Sequence, residues 1–207
     1  MPYLIHDIKN VAPEDHPLYF FDANVWIAAL KYYSGGKQNE YESPYQSFFE
    51  VVVELNETHD PEILKRLKNK PKIVLTSLVL SEIINAYMRK VAMRNYFGNG
   101  DEYRRYDFKR DYRDKTDSDY KAKLKDLCTD IDSLSDYAVL MDDDFKAIYS
   151  ASTLGNLYNY DLDFNDFYYG EFLKKYKLPL VTHDKDCKFE NVVTITAQER
   201  LLKISDI

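Results

Sequence analysis

The sequence predicts an α/β fold of three layers, with a parallel sheet covered by helices on both faces. Three observations lead there. The apolar runs are short and almost uninterrupted, as in LYFF (residues 18–21) and VVTIT (residues 192–196). A strand buried on both faces reads in this way, whereas a half-solvated strand alternates. Segments with apolar residues at helical spacing separate these runs, and that alternation builds a parallel sheet between helical layers.

Five strands follow in order: residues 18–21, 72–76 (KIVLT), 137–141 (YAVLM), 178–182 (LPLVT) and 192–196. Between the first two, Tyr45, Phe48, Phe49, Val52 and Leu55 mark a helix over 43–58. After the second strand, Leu80, Ile84, Tyr87 and Val91 fall at i, i+4, i+7 and i+11, with Ser77 as the expected N-cap. Gly98, Asn99 and Gly100 interrupt that helix. A polar, Tyr- and Arg-rich stretch follows, and Leu124, Leu127, Ile131 and Leu134 then resume helical spacing. Further helices are expected at 144–152, 166–175 and 197–203. The 207 residues suit a single domain with a basic, Tyr-rich helical insertion at 95–136.

No apolar run approaches the ~20 residues needed to span a bilayer. Residues 1–15 carry Asp7, Glu14 and Asp15 and lack the basic-then-apolar pattern of a signal peptide. The expected location is the cytoplasm, away from membranes. Cys128 and Cys187 are the two cysteines, far apart in sequence, which argues against a disulfide framework or a cysteine zinc site. The net charge is −7, but it is unevenly spread. From Tyr87 to Lys125, twelve Lys or Arg stand against seven Asp or Glu, a local balance of +5 that leaves −12 for the remainder. One basic segment thus sits on an acidic body.

In open parallel sheets, ligands bind at the carboxyl ends of the strands. Asp22 ends the first strand, and Asp184 and Asp186 follow the fourth. Glu82 lies early in the helix leaving the second strand, and Asp166 opens the helix leading into the fourth. Four elements thus deliver acids to one edge. Each acid also has a plainer role. Asp163 and Asp166 could cap a helix, Asp184 and Asp186 could shape a turn, and Glu82 could share a solvated face with Asn85 and Arg89. Asp22 is the hardest to explain so, because it directly ends an apolar strand. Asp142, Asp143 and Asp144 are expected to N-cap the following helix.

The run Phe21-Asp22-Ala23-Asn24-Val25-Trp26-Ile27 resembles the opening signature of the PIN-domain family of metal-dependent ribonucleases, and Thr182-His183-Asp184-Lys185-Asp186 resembles its closing T-x-D-x-D motif. Residues 77–83 (SLVLSEI) are similar to its second motif. The resemblance covers 18–196, interrupted by the basic insertion. It implies a five-stranded sheet in the order 3-2-1-4-5 and metal-dependent hydrolysis of RNA. It also implies catalytic and metal-ligating roles for Asp22, Glu82, Asp166 and Asp184, with Asp186 as an auxiliary ligand. Asn24 and Thr182 match positions that hold the geometry. Asp161 and Asp163 crowd Asp166, and the third acidic position stays open between Asp163 and Asp166.

Four clustered carboxylates repel one another unless a cation offsets them, and Mg²⁺ or Mn²⁺ prefers oxygen ligands. Such an ion acidifies a water for in-line attack on a phosphodiester, and the resemblance implies products with a 5′-phosphate and a 3′-hydroxyl. His183 adjoins Asp184 in sequence, so it reads as a rim residue and not as a triad base. Arg104, Arg105, Lys109 and Arg110 interleave with Tyr103, Tyr106, Phe108 and Tyr112, a combination suited to phosphates and unpaired bases of single-stranded RNA. Because Asp107, Asp111 and Asp114 are mixed in, a solvated helix laced with ion pairs is the alternative. Two other functions remain open at this level: a catalytically silent PIN-like binding module, and a toxin paired with an antitoxin-like protein. A homodimer is compatible with each.

Overall fold

A computed structural model of the chain describes residues 3–33, 39–67, 70–98, 100–115, 117–149, 157 and 163–204. Its centre is one sheet with strands β1 (Leu4–Asp7), β2 (Leu18–Phe21), β3 (Lys72–Leu75), β4 (Ala138–Leu140), β5 (Leu180–Val181) and β6 (Val193–Thr196). Their order is β1-β6-β5-β2-β3-β4, and every pairing is parallel. The fold is therefore α/β, but the expected five-stranded layout needs correction. A sixth strand, β1, lies outside β6 and pairs Leu4 with Val193 and Asp7 with Thr196. Only Ile5 of β1 is buried, while Leu4 and His6 are exposed. The segment thus lacks the wholly apolar run that marks an inner strand.

The helices are α1 (Ala23–Tyr33), α2 (Ser43–Glu57), α3 (Pro61–Arg66), α4 (Ser77–Tyr87), α5 (Met93–Tyr96), α6 (Asp117–Ser133), α7 (Phe145–Ile148), α8 (Phe164–Tyr176) and α9 (Glu199–Leu202). A π-helical turn, Met88–Ala92, joins α4 to α5. Alternation along β2 shows how the layers form. Tyr19 and Phe21 point to one face, where both meet Phe48 of α2, and Phe21 also meets Trp26 of α1. Phe20 points to the other face and packs on Tyr169 and Phe172 of α8, with ring centroids at 5.2 and 5.9 Å. Burying these large rings, each worth about 1.5–3 kcal/mol, fixes which helix covers which face. Gly170 of α8 admits a close neighbour: a Cβ there would come within 2.7 Å of the Phe189 ring.

Two capping expectations change. Thr76, not Ser77, caps α4, its side chain accepting from Val79 N–H at 3.3 Å. Asp143 also serves this end: it accepts from Leu78 N–H at 3.1 Å and from the Ser77 hydroxyl. Asp144 takes the N-cap position of α7 with φ 56° but makes no side-chain cap; its carboxylate meets Lys175 and Tyr176. A second helical turn reaching residue 152 falls outside the described residues, as does Asp161.

Candidate active site

Asp22 leaves β2 at the carboxyl edge and is buried. Its Oδ1 accepts from Val25 N–H at 2.9 Å, which caps α1, and its Oδ2 accepts the hydroxyl of Thr182. Thr182 follows β5 and is fully buried. Its oxygen in turn accepts the Asp184 N–H at 2.9 Å. One hydroxyl therefore ties the first acid to the backbone of the last. Asn24 lies on the rim, and its backbone N–H bonds to Asp22.

Glu82 comes from the second turn of α4. Asn165 Nδ2 donates to its Oε1 at 2.5 Å, and the Tyr169 hydroxyl donates to its Oε2 at 2.8 Å. Asn165 and Tyr169 stand at i and i+4 on α8, the spacing that lets two side chains grip one group. Asp166 lies in the first turn of α8, and its N–H donates to Asp163 Oδ1 at 3.0 Å. Asp163 is thus the cap of α8, and the half-buried Asp166 carboxylate approaches Cys187 Sγ at 3.9 Å.

Asp22, Glu82, Asp163, Asp166 and Asp184 all line one cavity of about 550 Å³. Burial, the largest cause, holds the Asp22 carboxyl up at about 6; Asp184 adds to the rise, while the Thr182 and Val25 hydrogen bonds oppose it. Asp166 is also raised to about 6, first by burial and then by the charges of Asp163, Asp184, Glu82 and Asp22. The Cys187 thiol is pushed well up by burial and by Asp22, Asp166 and Asp184. These are the marks of uncompensated negative charge in a partly dry site.

Asp186 does not join the cavity. It is exposed, donates its N–H to Asp184 Oδ1 at 2.9 Å, and lies 3.8 Å from Lys185. Cys187 lines the cavity in its place. Asn165 and Tyr169 escaped the sequence pattern, although their i,i+4 spacing beside Asp166 was a usable signal. The polar face Glu82-Asn85-Arg89 proves to be cavity wall and not merely solvated surface.

The basic insertion does not act as one surface. Arg110 pairs with the adjacent Asp111 at 2.7 Å, and Lys115 pairs with the same carboxylate at 3.2 Å. Lys109 and Arg105 are exposed and line neither this cavity nor a second one that adjoins it at Asn24, Lys90 and Asp184, whereas Arg104 lines the second. Tyr112 is fully buried against Phe97, Phe108 and Tyr120. Tyr106 stacks on Phe97 at 3.8 Å. The interleaved aromatics thus form a small core for the insertion, and only part of the set stays available to a ligand.

The donor set of the acidic cavity is carboxylate oxygen, which fits a hard divalent cation in chemistry. Among the described residues, no three His, Cys, Asp or Glu side chains converge tightly enough to hold a metal ion as they stand, so holding one requires these carboxylates to turn toward one another. No protein-family model matches the chain, and no curated protein matches it. Among the described residues no helix is long and apolar enough to cross a membrane.

Proposed function

We propose that the chain is a metal-dependent endoribonuclease of the PIN type, acting on single-stranded RNA in the cytoplasm. One observation carries this reading: acids from four separate elements line one cavity, where burial and mutual repulsion raise the proton affinity of Asp22 and Asp166. Asp22, Glu82, Asp166 and Asp184 would hold the ion, and Asp163 would position Asp166 through its backbone. When bound, Mg²⁺ or Mn²⁺ would supply an acidified water and offset charge on the leaving oxygen. The protein's share is placement. Thr182 aligns Asp22 with Asp184, and Tyr169 with Asn165 orients Glu82. Arg89 and Lys90 on the cavity wall would meet phosphate oxygens of the strand.

A second reading has its own observation. Both Glu82 oxygens already accept hydrogen bonds within the protein, as they would in a silent binding module of the same fold. Incubating the full chain with single-stranded RNA in Mn²⁺ and in EDTA separates the two. Cleavage in Mn²⁺ alone, with 5′-phosphate ends, supports the nuclease. Binding without cleavage supports the module.

A further inference from the structure

A second cavity of about 600 Å³ shares Asn24, Lys90 and Asp184 with the acidic one. Its character is opposite. Lys31, Lys90, Arg94, Arg104 and Lys185 line it, against the lining carboxylates of Asp184 and Glu42, the latter paired with Lys31 at 2.5 Å. Outside the lining, Asp101 lies 3.6 Å from Arg104 and Asp186 lies 3.8 Å from Lys185. These cations come from α1, from the helix continuing α4, from the insertion and from the loop after β5. Chain segments far apart in sequence thus converge on one excess of positive charge, beside one excess of negative charge.

His183 stands on the wall of this second cavity. Its Nδ1 is 3.0 Å from the hydroxyl of the buried Tyr45, which also accepts the Ala197 N–H at 2.8 Å and lies 3.2 Å from Thr196 Oγ1. Tyr45 therefore holds one ring nitrogen of a side chain that lines the cavity. Tyr41, with its ring 6.0 Å from His183, and Tyr103 add aromatic faces. The volume suits a nucleotide-sized group.

We infer that this cavity binds the phosphates of an RNA strand next to the one held by the acids, through Arg94, Arg104, Lys185 and the imidazole of His183. The RNA identity rests on the nuclease reading; the anionic chemistry rests on the side chains. It also assigns the insertion a role through Tyr103 and Arg104, which line the cavity, and leaves out Arg110, which lines neither cavity and pairs with Asp111 at 2.7 Å.

The test is binding of a labelled single-stranded RNA oligonucleotide to the full chain in EDTA, which removes cleavage from the readout. The salt series runs from about 50 to about 200 mM. The triple variant Arg94→Gln, Arg104→Gln, Lys185→Gln should bind about tenfold more weakly at low salt. Its log–log salt slope should be shallower by about 2, at ~0.7 per lost phosphate contact. His183→Ala should weaken binding severalfold. The control variant Lys109→Gln, Arg110→Gln also removes insertion charge and should match wild type. The inference is overturned if the triple variant binds like wild type, if the control loses as much, or if wild type does not bind RNA. A mononucleotide binding as tightly as the oligonucleotide also overturns it, because the site would then hold a small anion and not a strand. A weakened triple variant with no Mn²⁺-dependent cleavage by wild type would sink the nuclease reading and leave the phosphate site standing.

Discussion

Thr182 donates its hydroxyl to the buried carboxylate of Asp22, and the same oxygen accepts the N–H of Asp184 at 2.9 Å. The two acids that end neighbouring strands are thereby held by one side chain. Thr182→Val keeps the shape and removes both bonds. It should cost about 1–3 kcal/mol, because a buried acceptor and a backbone donor lose their partner. It should also raise the Asp22 carboxyl further, since the Thr182 bond opposes its rise. Thermal unfolding and a carboxyl-resolved NMR titration check both effects; an unchanged Asp22 titration would deny Thr182 its holding role.

Asp22 itself should make the metal-free protein less stable as pH rises. Burial pushes its carboxyl up to about 6 in the folded chain against an ordinary 3.8. Between those values the folded state binds more protons than the unfolded one, so stability falls as pH climbs from about 4 to about 6. Asp22→Asn cannot ionise. It should flatten this decline and be more stable than wild type at pH 7 in EDTA, by something on the order of 2 kcal/mol. Parallel denaturation curves at pH 4 and pH 7 settle the matter, and a mutant that loses stability at both would contradict the electrostatic account.

Glu82 depends on α8 for its direction. Tyr169→Phe removes the 2.8 Å donor to Oε2 and leaves the ring against Phe20. On the nuclease reading, a lost partner of this kind lowers metal affinity or activity by roughly 10–100-fold with little effect on folding. Mn²⁺ titration followed by the rise in melting temperature measures it without relying on turnover. Equal Mn²⁺ responses in the two proteins would mean Glu82 needs no such support.

The insertion makes a contrasting prediction. Tyr112 is fully buried, and its hydroxyl donates to Asp119 at 2.9 Å. Tyr112→Ala should destabilise the insertion by about 3–5 kcal/mol, as large aromatic deletions do. Hydrogen exchange should show loss of protection in α6. Were Tyr112 a base-stacking residue instead, its loss would weaken RNA binding and leave exchange alone.

The inner strands were legible because burial on both faces leaves wholly apolar runs, of which β2 is the plainest. Asp22 was legible because it breaks such a run at its carboxyl end. β1 was not, since an edge strand buries only one residue, Ile5, and reads as a polar segment. Asp186 lies outside the cavity for a different reason. The turn after β5 folds back on Asp184, with Asp186 N–H on its Oδ1 and Cys187 N–H 3.4 Å from its backbone oxygen. That local bonding swings Cys187 into the cavity and Asp186 out to solvent, and residue type alone does not reveal it. The Arg and Tyr pattern of the insertion also concealed a division of labour. Helical spacing and charge count could not separate Tyr112, in a small core, from Arg104, on a cavity wall.

The most direct test of the central claim is cleavage of a single-stranded RNA by wild type and by Asp22→Asn, each with Mn²⁺ and with EDTA. Folding of the variant is verified by its unfolding transition. The account predicts Mn²⁺-dependent cleavage by wild type, with 5′-phosphate products, and a loss of more than about 100-fold in the folded variant. A folded Asp22→Asn protein that cuts as fast as wild type, or wild-type cleavage that persists in EDTA, would contradict it.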